Sequence, residues 1–264
     1  SVLNEATSSK ITSTETNQDN LNNTVSLSEK LLEADNKEVD KILKDLNFEN
    51  MTEEEQLSLI SERLILTDYL QNILVKNKKY IESIETRTDY RLIKALSRFN
   101  SENVEYILSH STILERMKSK SKTDKMYFLK ELDELVNSNE IVNVIKKIDL
   151  VSPLLSSWDI EEILKLADDS DFAFELFSND EIYKKILENG HIYEDIKYLD
   201  SGKQLELIQN KIINNNMTVY DFNIMLSNVK IDTYEALMKS NPNLKQYVNV
   251  YPYLVYYKET SNQE

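Results

Sequence analysis

Glycine, proline, cysteine and histidine are almost missing from this sequence of 264 residues, which has two glycines, three prolines, no cysteine and two histidines. Average usage would supply roughly 18 glycines and 13 prolines. Gly190, Gly202, Pro153, Pro242 and Pro252 all lie in the second part of the chain, so nothing before Pro153 is either residue. Gly-rich phosphate loops, nucleophile elbows and Rossmann turns need glycine where the backbone takes positive φ or approaches a ligand closely, and they are excluded in practice. With no cysteine, and only His110 and His191, thiol catalysis, disulfide scaffolds, zinc ribbons and multi-histidine metal centres fall away as well. No apolar run reaches the 18 residues of a membrane-spanning helix. The lack of cysteine fits a cytoplasmic protein and is tolerated equally by one secreted after signal-peptide removal. A beginning at Ser1 fits a removed initiator methionine, a processed signal peptide or a truncated end alike.

Negative charge is what the sequence has in excess. Forty-six acidic against 31 basic residues leave −15, which argues against non-specific nucleic-acid binding and against docking on anionic lipid. The excess is local: residues 151–200 hold 13 acidic and 4 basic side chains, a net −9.

The spacing of apolar residues predicts an all-α protein. Residues 1–25, rich in Ser, Thr and Asn, read as a disordered or loosely attached arm. Leu27 to Leu46 make one helical stripe. Thr52-Glu53-Glu54-Glu55 reads as a capping box opening a long helix to about residue 85, and further helices follow to about residue 150. From Pro153 the punctuation tightens, and Asn179, Thr218 and the C′ candidate Gly190 mark short helices over 151–247. The expected organisation is therefore a helical bundle over 26–150, a helical-repeat-like array of short antiparallel helices over 151–247, and an extended Tyr-rich tail over 248–264. No repeat register appears at the 34- or 40-residue periods of familiar helical repeats.

Candidate chemistry is sparse. Asp168-Asp169-Ser170-Asp171 with Glu175 gathers oxygens, but it lacks the sixth-position Gly and twelfth-position Glu of a calcium loop, so no metal or cofactor is expected. His110 and His191 have no sequence companions of a catalytic triad. Arg116 to Lys125 is the one basic run, suited to phosphate or an acidic partner. The acidic block, by contrast, is interleaved with aromatics. Trp158, Asp159, Glu162, Asp168, Asp169, Asp171, Phe174, Phe177 and Tyr183 outline a face on which a basic or amphipathic helix could lie. Asp159, Glu161, Glu162, Asp180 and Glu181 of this acidic block also fall in first helical turns, where negative charge favours the helix dipole.

Two readings of function follow. One is a non-enzymatic protein-interaction module or assembly subunit using that face. The alternative is a secreted or surface-exposed helical effector of a microbe or parasite. A carboxylate hydrolase ranks third, because no paired histidine, cysteine or glycine loop supports it.

Overall fold

The computed structural model describes residues 27–152 and 155–249, and every regular element among them is helical. The expected arm over 1–25 and the tail beyond Asn249 lie outside the described residues. The chain separates into two compact units between Val136 and Asn137. The first contains α1 (27–33), α2 (Asn36–Asp45), α3 (Glu53–Leu59), α4 (Asp68–Leu74), α5 (Lys78–Glu85), α6 (Asp89–Leu96), α7 (Ser101–Ser109), α8 (Ile113–Lys118) and α9 (Lys122–Asp133). The second contains α10 (Ser138–Lys147), α11 (Ser157–Ala167), α12 (Ser170–Phe177), α13 (Asp180–Glu188), α14 (Ile192–Asp195), α15 (Ser201–Asn210), α16 (Val219–Asn228) and α17 (Ile231–Ser240), with 3-10 turns between several of them.

The caps are where local sequence puts them. Thr52 accepts from the Glu55 N–H while the Glu55 side chain returns to the Thr52 N–H, a complete capping box. Asn179 and Thr218 cap α13 and α16, and Pro242 opens the last 3-10 turn. With glycine so scarce, Asn47, Asp149 and Asp168 take the left-handed positions that glycine would usually occupy.

The long helix expected to about residue 85 is instead α3, α4 and α5, so helices are as short before Pro153 as after it. Ile60 turns extended and ends α3, Thr67 caps α4 by accepting from the Leu70 N–H, and Asn77 caps α5 through Tyr80 N–H. The apolar spacing runs on across these breaks because Leu64 and Leu66, in the connection, are buried as Leu59 and Leu70 are. Similarly, the stripe over 27–46 is two helices broken at 34–35.

Helices this short are marginal alone and depend on packing. Leu43, Phe48, Leu74, Ile84 and Leu96 fill the first unit; Leu164, Phe177, Ile186, Ile196 and Met225 fill the second. Each such side chain contributes about 1.5–3 kcal/mol by burial. In the second unit α11 packs on α13, α14 on α16, and α15 on α17, so an element commonly meets the next but one.

Side-chain clamps repeat this spacing. Buried Gln56, Gln71 and Gln204 each occupy the fourth position of a helix and donate back to the Phe48, Leu66 and Ile196 carbonyls respectively. Their Oε1 atoms accept from a later helix start: Asn77 Nδ2 at 2.9 Å, Asn100 N–H at 2.9 Å, and Lys230 N–H at 3.0 Å. Lys185, Lys211 and Lys230 add a second ladder, reaching the Leu155, Phe177 and Leu199 carbonyls, which lie 30, 34 and 31 residues away.

Candidate functional site

Ser156 caps α11 and forms a capping box with Asp159, so the Asp159 carboxylate serves first as a helix-start acceptor. That box fixes the opening turn of α11. Trp158 stands in this turn with 70% of its surface exposed, an unusual outlay for the chain's single tryptophan. Glu161 and Glu162 follow, both half-buried. Asp168 ends α11 in the left-handed conformation, Asp169 caps α12 through the Phe172 N–H, and the Asp171 carboxylate pairs with Lys203 at 2.8 Å. Phe177 is wholly buried and has no surface to offer a partner, whereas Phe174 is half-buried. Tyr183 is half-buried too; its hydroxyl accepts from Asn215 at 2.8 Å and the Lys211 ammonium sits 4.7 Å over its ring.

A second segment comes to this place through a glycine turn. Gly190, at φ +71°, ends α13 with its N–H on the Leu187 carbonyl and the His191 N–H on that of Ile186. The turn delivers His191 to α11. Its Nδ1 lies 3.4 Å from Glu161 Oε2, an ion-pair distance when the ring is protonated, and its ring meets Trp158 edge-on with centroids 6.0 Å apart.

One helical turn on, Asp195 is 1% exposed, and neither carboxylate oxygen has a hydrogen-bond partner. Burial, and then the charges of Glu161 and Glu194, push its pKa up to about 7 against the partial relief of Lys197. Tyr198, just beyond, is pushed up to about 12 by burial and by the carboxylates of Asp195, Glu161, Asp168 and Glu162. Glu161, Glu162 and Asp168, on α11 and at its end, concentrate negative charge in this part of the second unit, where the Trp158 indole is exposed.

The nine residues singled out from the sequence thus separate. Trp158, Glu162 and Asp168 belong to this convergence; Asp159 and Asp169 are engaged as caps, Asp171 and Tyr183 hold lysines, Phe174 is half-buried, and Phe177 is core. Sequence reasoning missed Asp195, Glu161 and His191 as a group. The available signal was Asp195 itself, an acid set among Ile192, Tyr193 and Ile196. Among the described residues no three His, Asp or Glu side chains are arranged to hold a metal ion, and no helix is long and apolar enough to cross a membrane. No protein-family model, curated protein or solved structure matches the chain.

Proposed function

We propose that the protein is a non-enzymatic interaction module that binds a basic or amphipathic helical protein segment across the Trp158 face. The carrying observation is the exposed Trp158, whose indole meets His191 edge-on where that ring lies 3.4 Å from Glu161, with Glu162 on the same helix and Asp168 at its end. An aromatic anchor supplies apolar area and cation–π attraction, while the carboxylate field selects positive charge and speeds encounter. The same field makes nucleic acid an unfavourable partner. Asp195 has the raised pKa of a general acid, yet its oxygens are closed off from solvent, which favours binding over acid–base chemistry at this place.

Affinity capture with identification of the partner, repeated with Trp158→Ala and with Glu162→Gln/Asp168→Asn, tests the reading. Asn suits the left-handed position of Asp168, so the second variant keeps the backbone. Each variant is expected to weaken a captured basic partner about tenfold, an effect of about 1.4 kcal/mol. Equal retention by all three proteins at low salt would remove the proposal.

A further inference from the structure

The basic run of the first unit is structured. Arg116 and Lys118 lie on α8, Lys122 and Lys125 on α9, and residues 119–121 form the turn between them. Under that turn is a pocket of about 230 Å³, closed by the connection after α5, by α6, by α8 and by α9. Its floor is apolar: Leu92, Ile113, Met117 and Phe128 are each less than a tenth exposed. Tyr127, 43% exposed, forms part of the wall.

The charged part of the lining is mixed, with three cations and two acids. Arg87, Arg116 and Lys120 line the pocket together with Glu85 and Asp124. Glu85 is already engaged, since it accepts from both the N–H and the Oγ1 of Thr112. Thr112 Oγ1 accepts in turn from Arg116 Nε at 3.0 Å, which holds the guanidinium in a set orientation. Arg87 is tied to Glu62 at 3.1 Å, leaving Arg116 and Lys120 as the exposed cations of the lining. In a chain of net charge −15, the exposed Arg116 and Lys120 both line this apolar-floored cavity.

A cavity below the roughly 300–1,000 Å³ of drug-sized ligand sites suits a single ring or side chain. A planar, always-charged guanidinium beside an ammonium suits a tetrahedral oxyanion better than a neutral group. We propose that this pocket binds an aryl phosphate, its ring on the Ile113–Met117–Phe128 floor and its phosphate held by Arg116 and Lys120. The group would arrive as a free small molecule or as a phosphorylated tyrosine of another chain; both present the same chemistry. The site is independent of the Trp158 face.

Calorimetric titration of the full chain with phenyl phosphate, phenol and inorganic phosphate separately tests the site. Phenyl phosphate is expected to bind at least about tenfold more tightly than either half-molecule, and Arg116→Ala/Lys120→Ala to abolish that advantage with helicity retained in circular dichroism. Lys120→Glu, at an exposed turn position, repeats the test without disturbing the Arg116–Thr112 bond. Capped phosphotyrosine in the same titration distinguishes the sources: tighter binding than phenyl phosphate assigns the site to a peptide, weaker binding to a free molecule, and either supports it. Inorganic phosphate binding as tightly as phenyl phosphate, unchanged binding by both variants, or no heat from any probe at millimolar concentration would overturn it.

Discussion

A buried carboxyl group with no hydrogen-bond partner lowers the stability of the protein that keeps it, and Asp195 shows the direction. Its folded-state pKa stands near 7 against an ordinary 3.8, so the native chain holds a proton that the unfolded chain has lost. Stability from this residue is therefore complete below about pH 4, falls as pH rises, and is fully lost above about pH 7. The size of the loss is on the order of 2–4 kcal/mol. Asp195→Asn should leave stability at pH 4 nearly unchanged, because a protonated carboxyl and an amide are close in shape and charge. At pH 8 the variant should be more stable by about 1–3 kcal/mol, reduced from the full amount by burial of the amide. Urea denaturation at both pH values measures this, and equal midpoints for the two proteins at pH 8 would contradict the assignment.

Between elements, the glutamine clamps decide how short helices hold one another. Gln204 satisfies the Ile196 carbonyl, the Lys230 N–H at 3.0 Å and Thr233 Oγ1 at 2.7 Å with one fully buried amide. Replacing it with methionine keeps the length and apolar volume but strands these polar groups. Gln204→Met should lower stability by about 2–3 kcal/mol, mostly through groups left unsatisfied. Gln246→Met, at an exposed position, should change it by less than about 0.5 kcal/mol. Thermal melts of the two variants decide the matter; equal melting temperatures would mean that water replaces the clamp. Helix starts such as Thr52, Asn179 and Thr218 were legible because a cap acts within four residues of itself. Gln204 was not legible, since a polar residue in an apolar stripe reads as solvated unless its partner some thirty residues away is known.

At the scale of the whole molecule, the division between Val136 and Asn137 makes two units, each with its own apolar interior. Each holds a little over a hundred described residues, near the common size of an independent domain. Fragments 27–136 and 137–249, expressed separately, should each give a helical spectrum and a cooperative thermal transition. A fragment lacking a cooperative melt would show that its core is incomplete without the rest of the chain. The change of sequence style at Pro153 falls inside the second unit, after α10. It reflects the places where glycine and proline happen to occur, and helix length does not change there. Charge follows the units more closely, since the −9 of residues 151–200 lies entirely in the second and the basic turn at 116–125 in the first.

The all-helical class, most helix starts, the Gly190 turn and the location of the acidic block were settled by the sequence alone, because propensity, capping and charge act over a few residues. The tertiary structure decided where the expected long helix breaks and which polar groups go inside. It also brought His191 between Trp158 and Glu161, buried Asp195 one turn further on, and set the basic turn over an apolar pocket. Burial and convergence depend on residues far apart in the chain, so a carboxylate such as Asp195 looks like its exposed neighbours until packing removes its water.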